Sequence, residues 1–418
     1  MNTLFKALVL FAFTVNGVAE TKQPHPKVKL DFNPPHKLTC DFEDVIFNSN
    51  YETGRISSCE KLASDHYLIS TYPENKPINP SPWYGFSVTS NNENAKQIIV
   101  EIQADNSRPR YLPKLSSDKA HWEPMNFEVV QGNLILSMTV GANKSVQYVS
   151  AQEIIDNAMY QQWNKKIADN SSFELQTIGE SVEGRNIDAL IHTQPDNTEW
   201  LFIVGRQHPP EITGALALLN FVEALLGENT ANTQLFERFN ILIVPLVNPD
   251  GVAAGNWRHN SNGIDLNRDW GRFTQPETRV VHNKLGELMR ENHKLVFALD
   301  FHSTQQDIFY TMPTDYIPIK HKRLNIEKGV MPNLFVEEWL SDLKQETVRS
   351  FTVRDRPGSS PGRGVFKQFI ADEYGVHAVT YELGDNTNRQ LIKHTAKASA
   401  DTLVNKLLNT DASQFKIQ

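Results

Sequence analysis

The chain has 418 residues and a formal net charge of -8, with 41 lysines and arginines against 49 aspartates and glutamates. An acidic chain without basic clusters argues against nucleic acid as a partner. Its length and its 39% hydrophobic residues suffice for two domains and a large core.

Residues 1–19 hold one charge, Lys6, then an apolar run from Ala7 to Val15 and the small residues Gly17 and Ala19 before Glu20. The run is too short to span a bilayer and reads as a secretory signal peptide, with a retained signal anchor as the alternative. Its removal takes away Lys6, so the charge becomes -8 - 1 = -9. No later hydrophobic stretch reaches the length of a membrane span, so an exported, soluble protein is expected, periplasmic or secreted. Residues 20–39 contain Pro24, Pro26, Pro34 and Pro35 and have no period, as a flexible lead-in would.

From residue 40 to 150 short alternating segments follow one another, among them 66–72, 84–88, 97–102, 127–130 and 134–138. Each is bounded by Asn, Pro, Gly or Ser clusters, which predicts a small antiparallel β-sandwich. Both cysteines, Cys40 and Cys59, fall here. In an oxidising compartment they can pair, closing a loop of about 20 residues worth roughly 3 kcal/mol in the loop-entropy model; two free thiols are the alternative.

From residue 151 to 418 the period becomes helical and then alternates between strand and helix. That pattern predicts an α/β fold, a mixed, mostly parallel sheet with helices on both faces. Leu201, Phe202, Ile203 and Val204 read as a buried strand, followed by His208-Pro209-Pro210-Glu211 and a helix over 212–226 that Gly227 stops. His208 and Glu211 stand three residues apart at this junction, where an imidazole and a carboxylate can converge on one point; both are zinc-ligand types. A strand over 239–247 runs into Asn248-Pro249-Asp250-Gly251, a turn signal. Gly255-Asn256-Trp257-Arg258-His259-Asn260 and Gly263-Ile264-Asp265-Leu266-Asn267-Arg268 come next. The strand over 295–301 leads to His302, and the strand over 376–381 leads to Glu382. Ligands of open α/β sheets collect at such carboxyl ends.

The order His-x-x-Glu, Asn-Pro-Asp-Gly, Gly-x-Asp-x-Asn-Arg resembles the metallocarboxypeptidases of the funnelin family. Residues 47–54 and 83–88 look like the β-sandwich that precedes the catalytic domain in the cytosolic-carboxypeptidase-like branch; an adhesion module is the alternative. The resemblance implies a zinc carboxypeptidase domain over 151–418, with one zinc per chain on His208, Glu211 and His302 and with Glu382 as general base. It further implies that Arg258 holds the charge developing on the carbonyl oxygen and that Asn267 and Arg268 grip the C-terminal carboxylate. Asp265 would orient a zinc histidine. The family's capping tyrosine has no counterpart in 357–364, where a mobile glycine-rich loop is expected instead. The floor of its specificity pocket falls on Lys367, or on Arg363 if the register slips, which would favour an acidic last residue. The expected substrate is a peptide with a free C-terminus. A peptidoglycan peptide, cut by an amidase or carboxypeptidase, and a silent peptide-binding relative are the rivals.

Overall fold

The computed structural model describes residues 36–290, 292–319, 332–347 and 351–417. The expected signal peptide at 1–19 and the lead-in up to residue 35 lie outside the described residues.

Residues 39–150 form eleven strands. In chain order they are β1 (Thr39–Asp41), β2 (Val45–Asn48), β3 (Ser58–Ala63), β4 (His66–Thr71), β5 (Gly85–Ser90) and β6 (Lys96–Ala104). After them come β7 (Lys114–Ser116), β8 (Glu123–Pro124), β9 (Glu128–Val130), β10 (Asn133–Val140) and β11 (Gln147–Ser150). They make two sheets, in the orders β1-β2-β5-β11-β7-β8 and β3-β4-β6-β10-β9. The alternation read from sequence is the alternation of burial: in β10, Leu134, Leu136, Met138 and Val140 are buried, while Ser137 and Thr139 face solvent. One pair departs from the antiparallel expectation. The chain leaves β4, adds β5 to the other sheet and returns as β6, which therefore pairs parallel with β4. Cys40 and Cys59 are joined, tying β1 of one sheet to β3 of the other with their Cα atoms 6.3 Å apart. The expected lead-in also ends early. Thr39 is already in β1, and the Lys37 ammonium donates to the carbonyls of Tyr51, Gly54 and Ala253.

The rest of the chain adds an eight-stranded sheet. Its strands are β12 (Glu174–Glu180), β13 (Asn186–His192), β14 (Glu199–Gly205), β15 (Phe239–Val244), β16 (Lys294–Thr304), β17 (Ile308–Thr311), β18 (Asp355–Pro357) and β19 (Ala378–Gly384), in the order β12-β13-β15-β14-β16-β19-β17-β18. The centre, β15-β14-β16-β19, is parallel, and antiparallel pairs join the flanks to it. Central parallel strands are covered on both faces and read as unbroken apolar runs, and every residue of β14 and β15 is buried. The described helices are α1 (Asn157–Asp169), α2 (Ile212–Leu225), α3 (Thr230–Arg238), α4 (Pro249–Ala254), α5 (Pro276–Leu288), α6 (Phe335–Glu346), α7 (Phe366–Tyr374) and α8 (Arg389–Leu408). One face of the sheet packs on α2, α6 and α8, the other on α5 and α7.

Helix α2 belongs to two cores at once. Leu218, Phe221, Val222 and Leu225 pack on the large sheet. Ile212 and Ala215, in its first turn, pack instead in the core of the sandwich, where Leu246, Val252 and Trp257 join them.

The segment expected to turn at 248–252 starts a helix. The Asn248 side chain accepts the Gly251 N–H, Pro249 occupies the first turn, and Gly255 closes α4 in the left-handed region at φ 66°. A capping Asn followed by Pro serves a helix start as well as a turn, so the local signal was ambiguous. The strand expected to reach 247 accordingly ends at Val244.

Candidate active site

Two parallel strands and one helix start carry the site. Strand β14 ends at Gly205, and Arg206 takes the left-handed conformation at φ 51°, which breaks the strand and begins the turn that presents Gln207 and His208. Glu211 stands at the N-cap of α2 without capping it. Its carboxylate turns to the histidines, with Oε1 2.9 Å from His208 Nδ1 and Oε2 2.7 Å from His302 Nδ1, and it accepts the Ser303 N–H. His302 and Glu382 lie inside their strands rather than beyond them, as direct register neighbours across β16 and β19.

His208, Glu211 and His302 are the one group among the described residues arranged to hold a metal ion, with ligand atoms within 4.8 Å of one another. The donor chemistry fits zinc. The two Nδ1 atoms are 3.2 Å apart and both face Glu211, so protons on both would oppose each other, whereas two lone pairs converge where a cation sits. Each far nitrogen has its own carboxylate: His208 Nε2 is 2.9 Å from Asp265 Oδ1, and His302 Nε2 is 2.8 Å from Asp300 Oδ2. That arrangement puts the ring proton on Nε2 and frees Nδ1 for metal. Burial alone would raise the Glu211 carboxyl, but the two imidazoles outweigh it and hold it well below the usual range. Asp265 is partly buried, which opposes its charge, and His208 with Arg258 and Arg268 keeps it ionised.

Glu382 is the opposite case. Withdrawal from water, and then the negative charge of Glu211, push its carboxyl up to about 7. Three residues on, Asp385 receives a bidentate grip from Arg110 of the sandwich, at 2.7 and 3.0 Å. The same guanidinium donates to the Ser303 carbonyl beside His302.

Arg258 donates Nε to Asp265 Oδ2 at 2.7 Å, and no described side chain or carbonyl takes its terminal nitrogens. Arg268 is half-buried and donates to the Asn267 carbonyl. Asn267 is more committed than expected. Its Oδ1 accepts the Phe366 N–H, which ties it to the start of α7, and its Nδ2 lies 3.2 Å from His302 Nε2.

Lys367 differs from the expectation. It lies on α7 and is buried, but its ammonium donates to the carbonyls of Thr311 and Gly358 and lies 3.5 Å from Met312 Sδ. Carbonyls have taken the donors that an acidic ligand would need, while burial lowers the amine to about 8. Arg363 is exposed and close enough to Arg268 to lower its proton affinity, after burial and Arg258. The glycine-rich stretch is tied down: Gly364 accepts the Trp270 N–H, and Gly358 donates to Thr311. A Cβ on Gly364 would meet the Arg268 carbonyl at 2.1 Å.

Beyond Arg110 and Asp385, further residues at the site had no assigned part in the sequence. Asp300 shares a strand face with His302, two residues away, a spacing that was legible. Gln207 donates to Asp300 and accepts from Trp270. Tyr310 pairs opposite Thr380, and its phenol is raised first by burial and then by the charge of Glu382.

Comparison with known proteins agrees with this geometry. A family model described as zinc carboxypeptidase matches residues 159–402. A Zymomonas mobilis protein is 25% identical over 231 residues, 53% of this chain and 58% of that protein. Human cytosolic carboxypeptidase 6 is 22% identical over 293 residues, 62% of this chain and 57% of that protein. The chain thus spans little more than half the length of these curated relatives. A metallo-carboxypeptidase from Burkholderia cenocepacia shares the fold with a TM-score of 0.68 at 16% identity, over 87% of this chain and 99% of that one. One from Pseudomonas aeruginosa gives 0.66 at 18%, over 86% and 98%.

Proposed function

Because the chain belongs to the zinc carboxypeptidase family, we propose that it is a peptide hydrolase that removes the last residue of a peptide with a free C-terminus. The observation that carries this reading is the meeting of His208, Glu211 and His302 beside the carboxyl of Glu382, the register neighbour of His302. His208, Glu211 and His302 would hold one zinc, which when bound supplies Lewis acidity toward water and the scissile carbonyl. Glu382 takes a proton from the attacking water and delivers it to the leaving amine nitrogen, as the C–N bond breaks and the hydroxyl oxygen stays on the carbonyl carbon. Arg258 supplies donors to the carbonyl oxygen as charge develops there. Arg268 receives the C-terminal carboxylate, because a planar guanidinium fork matches that group.

The last residue is acidic in this reading. Arg258 and Arg363 both stand close enough to Arg268 to lower its proton affinity, and Asp265 is the carboxylate that opposes them. A terminal residue with two carboxylates supplies the missing negative charge. Arg363, in place of Lys367, meets the side chain. The Cys40–Cys59 disulfide supports export to an oxidising compartment.

The test is mass analysis of N-blocked peptides ending in Glu, Asp, Leu and Lys, incubated with zinc-loaded protein with and without a chelator. Loss of one C-terminal residue, fastest for Glu or Asp and abolished by the chelator, is expected. Internal cleavage, or no turnover by loaded protein, rejects the reading; faster release of Leu rejects the acidic preference alone.

A further inference from the structure

After β4 the chain runs out of the sandwich through Tyr72, Pro73, Glu74 and Asn75. Glu74 has a side chain only 7% exposed, and it reaches residues nearly two hundred positions away. Its carboxylate accepts three successive backbone N–H groups: Trp257 at 2.8 Å, Arg258 at 2.9 Å and His259 at 2.5 Å. Successive amides converging on one anion form a concave cradle, and charge-assisted bonds of this kind are short and strong. Here the anion is covalently part of the same chain.

Neighbouring groups hold Glu74 itself. Asn75 donates to the Gly263 carbonyl, and its Oδ1 lies 2.7 Å from His259 Nδ1. Arg55 donates to the Tyr72 carbonyl and to Asn256 Oδ1, and it lies 3.9 Å from Glu74. Trp257 is fully buried in the sandwich core. The middle residue of the cradle is Arg258, whose Nε binds Asp265, which in turn binds His208 Nε2. An error in the Arg258 backbone is therefore an error in its guanidinium and in the carboxylate that orients a zinc histidine.

We propose that Glu74 is a positioning residue of the active site, which aims the Arg258 guanidinium by holding its backbone, so that the sandwich is a working part of the catalytic centre. The inference rests on the role given to Arg258 above. Glu74→Gln keeps the size of the side chain but presents an N–H where the Trp257 amide needs an acceptor. Steady-state rates of the zinc-loaded enzyme on an N-blocked peptide ending in glutamate are to be compared for wild type, Glu74→Gln, Arg258→Ala and the double variant, with zinc content and Tm measured for each. We expect Glu74→Gln to lower kcat by about 10- to 100-fold with KM little changed and zinc still stoichiometric. We expect the double variant to be no slower than Arg258→Ala alone, because Glu74 has nothing left to aim. If Glu74→Gln fails to fold, as judged by Tm, the cycle is run with Glu74→Asp, which keeps the charge and shortens the reach. Wild-type kcat in the Glu74 variant, or losses that multiply in the double variant, overturn the proposal. Wild-type kcat in Arg258→Ala, or a loaded wild-type protein that turns over no peptide, rejects the functional reading, and this proposal falls with it.

Discussion

Before a metal is bound, burial and the charge of Glu211 hold the Glu382 carboxyl up at about 7, and its register with His302 puts it where a proton can be taken from water and handed on. Glu382→Gln keeps the shape and cannot accept the proton. It should lower kcat by about 1000-fold or more while zinc content and Tm stay at wild-type values, and a loss below about tenfold means that another base acts. Lys367 gives a different test. Its amine is lowered to about 8 from an ordinary value of 10.5. Between those values the unfolded chain holds a proton that the folded chain has released, so stability rises as pH goes from 8 to 10.5 and the penalty is complete below 8. Lys367→Met should make that rise shallower, by up to about 3 kcal/mol, in denaturant titrations at pH 7.5 and 10.5. Curves parallel to wild type reject it. At this scale the residue types and their order were legible, because His208, Glu211, His302 and Glu382 each follow an apolar strand run. What Lys367 binds was not, since the carbonyls of Thr311 and Gly358 carry no sequence signal.

Between elements, α2 comes very near β16 at the site. A Cβ on Gly214 would stand 2.3 Å from the His302 carbonyl oxygen, and backbone on both sides leaves no side chain to move aside. Gly214→Ala must therefore push α2 from β16 and draw Glu211 away from His302. It should destabilise by about 1–3 kcal/mol and weaken zinc binding by about 10- to 100-fold. Unchanged Tm and unchanged zinc affinity by competition with a chelator would show that the pair has slack. Strand and helix alternation was readable over 201–226 and the strand over 295–301, because buried parallel strands are unbroken apolar runs. The α4 helix was not, because its cap and its proline serve turns equally, and neither was the Glu74 cradle, which joins elements far apart in the chain.

Across the whole molecule, the sandwich and the large sheet share core residues. Ile212, Ala215, Leu246, Val252 and Trp257 belong to the second half of the chain and are buried among side chains of the first. Residues 151–418 produced alone should expose this patch, bind a hydrophobic dye and aggregate. A soluble monomer with native near-ultraviolet circular dichroism would show that the shared core is dispensable. The shared core also sets a timetable. Synthesis completes the strands of the sandwich at Ser150, but Trp257 emerges about a hundred residues later, roughly 5 to 20 s at 5–20 residues per second. Through that interval the nascent sandwich presents an open apolar flank, with Glu74 still waiting for the amides it will hold. The ribosome, or whatever meets the chain as it leaves, encounters a half-finished wall that the rest of the molecule closes.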